Sequence, residues 1–254
     1  MSWYLFAAHR TAHILPTVTS GTVSTGKNEK NLGTLDLDHR TVVLTTAKLE
    51  FDRSTATSPA TRADVNALVV MAHNTQSKQT AMKAYYGTSA GFVWMATQYA
   101  AQDGWFWYYS ETPRDEQIWT FEAQVIDETE FGCVSFGTAY DLGNPILARR
   151  MATAGGGPYD GRVISATFTK LSAATVTEIE YLLAQRWLTQ IDGAHVYDGL
   201  GGWGGRNPLA LYDGNNAELF WGSIVNSEVE NMGGGQYALS ITLRERLFDI
   251  AGSD

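Results

Sequence analysis

The sharpest hydrophobic pattern lies near the end of the chain. In Tyr237-Ala238-Leu239-Ser240-Ile241-Thr242-Leu243-Arg244-Glu245, large apolar side chains alternate with small or polar ones. Strict alternation puts Tyr237, Leu239, Ile241 and Leu243 on one face of a pleated strand and Ala238, Ser240, Thr242 and Arg244 in water. Two more strands precede it, over residues 209–212 and 217–230. Asp213-Gly214-Asn215-Asn216 and Gly233-Gly234-Gly235 separate the three runs and mark tight reversals where positive φ is needed. The pattern predicts an antiparallel meander with one wet face.

A second version of this order stands upstream. Tyr86-Gly87-Thr88-Ser89-Ala90-Gly91-Phe92-Val93-Trp94 resembles the phrase from Tyr212 to Trp221, and Trp119-Thr120-Phe121-Glu122-Ala123-Gln124-Val125 alternates as the closing run does. Ahead of each meander lie a strand-like run (42–51 and 163–171) and a helical one. Ser58-Pro59 reads as a helix start, with Val65, Leu68, Val69 and Ala72 on one apolar face. Thr175-Val176-Thr177-Glu178 reads as a capping box, followed by Val176, Ile179, Leu183 and Trp187 on one face. The expected fold is therefore α+β and mostly β, as two tandem β-sandwich or barrel domains, each with one packed helix. Their expected extents are 1–150 and 151–254, joined near the Gly-rich 151–158. Residues 3–8 read as a short strand, 17–33 as an exposed hairpin or mobile loop, and Trp105-Phe106-Trp107-Tyr108-Tyr109 as a dense aromatic strand or turn.

Composition removes whole classes of function. The 254 residues suffice for a real core in one large or two small domains. A net charge of −9 argues against a binder of nucleic-acid phosphates. Cys133 is the only cysteine, so neither an intrachain disulfide nor a cysteine-ligated metal site is expected. No apolar run reaches the length of a membrane span. The first ten residues lack a basic segment ahead of a long apolar core, so no secretion signal is expected, and folding is expected in a reducing cytoplasm.

Candidate chemistry is sparse. The five histidines, His9, His13, His39, His73 and His195, have no metal-ligand spacing. A P-loop and a strand-to-helix GxGxxG are absent from the sequence. Asp213-Gly214-Asn215-Asn216-Ala217-Glu218 and Asp36-Leu37-Asp38 cluster oxygens without EF-hand spacing, and a hairpin turn accounts for the first. Asp127, Glu128 and Glu130 read as a solvated charge run, while a carboxylate pair for glycoside hydrolysis would be a matter of space rather than sequence. The stretch 191–207 has no counterpart in the first half. It carries Gly199-Leu200-Gly201-Gly202-Trp203-Gly204-Gly205, which makes Trp203, with Gly202, Gly204 and Asn207, the expected contact loop.

A strand, one helix on a sheet and a Gly-turned meander ending in Tyr237 to Glu245 resemble the tube-domain fold of bacteriophage tails, found in tail-tube, distal-tail and baseplate-hub proteins. The phrase Leu219-Phe220-Trp221-Gly222-Ser223-Ile224-Val225 is similar to the end of such domains, and the likeness would cover 35–131 and 162–248. The resemblance implies tube-like domains, a structural virion protein near the tail tip, made in the host cytoplasm, with no catalysis and no cofactor. It also implies self-assembly as a homotrimer with pseudo-sixfold symmetry or as a homohexamer, contact with adjacent tail rings, and passage of DNA through an acidic bore without specific binding. No membrane contact is implied. The alternative from another class is a β-sandwich carbohydrate-binding module whose Trp203 loop touches sugar; a small hydrolase is a third.

Overall fold

A computed structural model describes residues 2–7, 16–27, 32, 37, 40–52, 64–87, 91–151, 162–184, 188–191, 194–197 and 209–245. In chain order the strands are β1 (Trp3–Ala7), β2 (Thr17–Ser20), β3 (Thr41–Val43), β4 (Ala47–Asp52), β5 (Val65–His73) and β6 (Ala81–Tyr86). There follow β7 (Phe92–Tyr99), β8 (Gly104–Arg114), β9 (Ile118–Gln124), β10 (Thr129–Phe131), β11 (Cys133–Gly143), β12 (Leu147–Met151) and β13 (Val163–Ser172). Helix α1 (Ala173–Ala184) precedes β14 (Leu188–Ile191), β15 (Ala194–Tyr197), β16 (Leu209–Asp213), β17 (Glu218–Gly233) and β18 (Gln236–Glu245). The fold is mostly β, as the alternating patterns predict, with one helix among the described residues where two were expected. The strands form two compact units, one from Met1–Ala7, Ala139–Leu188 and Val196–Leu247, the other chiefly from Ala8–Thr138. Strand β11 contributes to both.

In the first unit the strand order is β12-β13-β18-β17-β16-β1. The meander is present with the expected pairing, β16 to β17 and β17 to β18, both antiparallel. Leu239, Ile241 and Leu243 are buried and Arg244 is exposed. Ser240 and Thr242 are only half in water, because their hydroxyls lie 3.0 Å from those of Thr167 and Ser165 on β13. Strand β1 pairs with β16 across the whole run from Trp3↔Asp213 to Ala7↔Leu209, and Trp3 packs on Phe168 and Phe220. Helix α1 starts earlier than the capping-box reading: Ser172 Oγ accepts from the Thr175 N–H at 3.1 Å, so Ser172 is the cap and Thr175 lies in the first turn. Val176 and Ile179 are buried as expected.

The β16–β17 reversal is held by one carboxylate. Asp213 Oδ1 accepts from the backbone N–H groups of Asn215 (2.9 Å) and Asn216 (3.3 Å). Its Oδ2 accepts from Asn216 Nδ2 and from Arg150 Nη2, both at 2.7 Å. The positive φ of the turn falls on Ala217, at 50°, rather than on Gly214. Arg150 also pairs with Glu218, and Arg162 grips Glu245 by two bonds of 2.9 and 3.0 Å. Both guanidinium groups lie over the Phe220 ring, at 5.2 and 4.7 Å.

In the second unit, β11-β5-β8 faces the five-stranded sheet β2-β4-β9-β6-β7 across one core. That core holds Leu49, Phe51, Leu68, Val70, Met95, Trp119, Phe121, Val134 and Phe136. Here the helix expected from Val65, Leu68, Val69 and Ala72 is corrected: these residues lie in β5. The run from Ala67 to Ala72 is apolar without a break, and β5 sits between β11 and β8 with both faces buried. A strand covered on both sides carries no alternation, so its apolar residues also fit a helical period. The expected start at Ser58-Pro59 lies outside the described residues. The run 42–51 is likewise two strands, since β3 pairs with β10 whereas β4 pairs with β2 and β9. The 17–33 stretch enters the sheet through β2, and Val23 bridges to Val43. Strand β5 ends at His73, whose Nδ1 accepts from the Thr75 N–H at 3.3 Å.

Two stability predictions follow from these contacts. Asp213→Ala removes the acceptor of four donors and leaves Arg150 with a partner lost, and a cost of about 3 kcal/mol is expected in urea denaturation. Asp213→Asn, which keeps part of the turn bonding, should recover some of it; a loss below about 0.5 kcal/mol for the alanine variant would show the turn to be held otherwise. The pKa of His73 is lowered from 6.5 to about 4 by burial, which outweighs the raising effects of the Trp105 backbone and the Asp103 charge. Its folded pKa thus lies below the unfolded one, so its contribution is constant above about pH 6.5 and is lost as pH falls from there towards 4. At pH 5 the loss is on the order of 2 kcal/mol. The difference between wild type and His73→Gln in denaturant titrations from pH 7 to 4 should show that slope, and parallel curves would refute it.

Candidate functional site

The expected contact loop, Trp203 with Gly202, Gly204 and Asn207, lies outside the described residues, as do Asp36 and Asp38. The other sequence candidates are held by their own neighbours. The Asp213 oxygens are engaged as above. Asp127 Oδ2 meets Lys78 Nζ at 2.7 Å; the hydrogen bond from Lys78, with that from the Glu128 N–H and the Lys78 charge, keeps its pKa below the usual range. Glu130 pairs with Arg40 (3.1 Å) and Lys27 (3.3 Å). These acids line an open polar hollow of about 830 Å³ with Asn74 and Ser77. Cys133 is buried, which pushes its thiol up to about 12, so it is no thiolate at neutral pH.

The five-stranded sheet builds a different surface from its alternation. Trp119, Phe121 and Ala123 of β9 point into the core, which sends Thr120, Glu122 and Gln124 outward. Register then lines up Thr17, Glu50, Thr120, Tyr85 and Val93 as one row across all five strands, and Ser20, Lys48, Glu122 and Lys83 as the next. A hollow of about 360 Å³ opens here, lined by Ser20, Lys48, Glu50, Tyr85, Gly91 and Thr120 among others. The Tyr85 hydroxyl donates to Glu122 Oε2 at 2.8 Å, and Gln124 Nε2 donates to Oε1 at 2.7 Å. Lys48 Nζ lies 3.5 Å from the same carboxylate. Burial raises the pKa of Glu122, but the bonds from Gln124 and Tyr85 and the Lys48 charge outweigh it and leave the group below its ordinary value. The ammonium groups of Lys48 and Lys83 stand 5.0 and 4.9 Å from the Tyr85 ring centroid.

Gly91 leads from this hollow to the edge strand β7, where Phe92 is 73% exposed. The Phe92 ring is stacked on Tyr86 at 5.6 Å with 29° between planes. Tyr86 in turn contacts the fully buried Trp119 at 6.1 Å and carries the Arg114 guanidinium 4.9 Å from its centroid. The result is a flat, solvent-facing ring fixed from behind, beside a half-buried cation. Such a platform suits the apolar face of a planar or chair-shaped ring with the Arg114 guanidinium beside it, while the row of Thr120 and Tyr85 lies on the opposite face of the sheet. Sequence reading used 86–94 only as a copy of 212–221 and did not single out Phe92, Tyr85 or Arg114. The alternation of β9 carried the signal for the polar row; no local pattern carries the Phe92–Tyr86–Arg114 contact, which joins three strands.

No protein-family model and no curated protein matches the sequence. Among solved structures, the chain aligns with CpGH89CBM32-6 produced by Clostridium perfringens, at 11% identity and a TM-score of 0.36, over 51% of this chain and 94% of that one. It also aligns with the lectin domain of Lectinolysin complexed with Lewis B antigen (12% identity, 50% and 94% covered, TM-score 0.36). A His 62 mutant of the Lectinolysin lectin domain with Lewis b gives 9%, 51% and 96%, at 0.37. A likeness of this strength transfers no ligand to the present chain. The structures named are carbohydrate-binding domains and not tail-tube proteins, and the strand β5 removes one of the two strand–helix–meander copies on which the tail likeness was built. The tube-domain resemblance, the role as a distal-tail or hub ring and the place in a virion are therefore corrected. The expectation of ring partners rested on that resemblance alone.

Proposed function

We propose that the chain is a non-catalytic β-sandwich module that binds carbohydrate at the edge of its five-stranded sheet. The observation that carries this reading is Phe92: an exposed phenyl ring kept flat by Tyr86, with the Arg114 guanidinium over that tyrosine. Sugar rings present a patch of C–H groups on one side and hydroxyls around the rim, so they need an aromatic face and mixed donors and acceptors together. A preformed platform also lowers the ordering cost of binding. Hydrolysis of glycosides would instead need a carboxyl held protonated at neutral pH. Glu122 and Asp127 are both displaced towards the ionised form, which favours binding over catalysis.

Screening the protein on a glycan array, followed by calorimetry on the best ligands, tests the reading. Phe92→Ala should weaken binding at least about tenfold, equivalent to about 1.4 kcal/mol. Its stability should change by no more than about 0.5 kcal/mol, since the ring is mostly in water. Absence of any glycan ligand, or a Phe92→Ala variant with undiminished affinity, would overturn the proposal.

A further inference from the structure

Three arginines among the described residues lay a guanidinium over an aromatic ring: Arg150 and Arg162 over Phe220, and Arg114 over Tyr86. Stacking occupies the face of the guanidinium plane and leaves its N–H donors, which point outward in that plane, available for planar oxyanions. For Arg150 and Arg162 those donors are engaged. Arg150 reaches Asp213 and Glu218, and Arg162 holds Glu245 in the two-bond geometry typical of strong arginine–carboxylate pairs. Arg114 has the same stacking without the acid: no ion pair to it occurs among the described residues. Its chain neighbours Asp115 and Glu116 make contacts of their own.

We propose that the missing acid is supplied by the ligand, so that the site takes an acid-bearing glycan. A sugar ring lies on Phe92 while a carboxylate, as in a uronic or sialic acid, closes the fork of Arg114. This rests on the carbohydrate reading above and specifies its substrate class. The local charge agrees with it. Lys83, Lys48 and Glu122 stand with Tyr85 on the face opposite to Tyr86, away from the Phe92 ring. Glu122 is matched by Lys48. Glu50 stands two strands from Tyr85, about 10 Å across the sheet, and on the face opposite to Tyr86.

The experiment compares matched ligands. Oligogalacturonides, hyaluronan oligosaccharides and sialyllactose are titrated beside their carboxyl-reduced forms, with an aspartate-rich peptide as a further arm. At least one acidic glycan should bind ten times or more tighter than its reduced counterpart. Arg114→Gln should bring the acid down to the level of the reduced form, and Arg114→Lys, which keeps the charge but not the fork, should restore only part. Melting curves identify a variant that has lost its fold, and the wild-type comparison of acid with reduced ligand decides without any variant. Equal affinity for acid and reduced glycans, both abolished by Phe92→Ala, would overturn this inference and leave the carbohydrate reading standing. Binding of the peptide alone would overturn both; binding of none of these probes would overturn this inference, with the glycan array deciding the carbohydrate reading.

Discussion

Trp119 is the constraint on which the second unit depends. It is fully buried, and its ring meets Trp94 edge-on at 4.9 Å, Phe136 at 5.2 Å and Tyr86 at 6.1 Å. Its indole N–H donates to the Glu116 carbonyl at 3.0 Å, so the polar tip is satisfied while the rings close the core. Phe136 belongs to the β11-β5-β8 sheet and Trp94 to the five-stranded one, so this one side chain ties the two layers. It also backs Tyr86, and through Tyr86 it fixes Phe92. The surface platform is thus the outer end of a stack that begins in the core. That arrangement explains how a ring so exposed can be held flat without contacts on its outer side.

The same logic decides what the sequence could reveal. Where one face of a strand carries polar side chains, the period of two survives, as in β9 and β18. Where both faces are covered, the period vanishes: β5 is the case, and its continuous apolar run was misread as a helix. The polar row was half legible, because Thr120, Glu122 and Gln124 follow from the alternation of β9 alone. Their partners Lys48, Tyr85 and Lys83 come from β4 and β6 and are set by pairing register, which no local pattern encodes. Arg114 was the least legible of all. It stands at the end of β8, in the other sheet, and reaches Tyr86 only because the layers stack on Trp119.

Charges in this chain are divided between those that hold the fold and those left over. Asp213, Glu218 and Glu245 with Arg150 and Arg162 form a closed set around Phe220, in which Asp213 and Glu245 are buried and the other three are partly exposed. Removing either partner of such a set leaves an uncompensated charge, so its members serve structure rather than recognition. Lys83 and Arg114 are unlike them. Each rests on a tyrosine ring, which orients the cation at small cost and leaves it without an acid partner among the described residues. Groups fixed in place but unmatched in bonding are those a ligand can complete.

The overall charge of −9 sets the range over which such recognition can act. At physiological ionic strength the field of a charge decays over about 8 Å, so the distant carboxylates hardly reach a ligand already seated on Phe92. They do slow the approach of an acidic one. Local attraction by Arg114 and long-range repulsion by the whole chain are both screened by salt, but in opposite senses for the ligand. The repulsion therefore acts on the rate of encounter, while the affinity carries the salt dependence of the single Arg114 contact. Selection then rests on the short-range geometry of the fork and the ring, which salt weakens least.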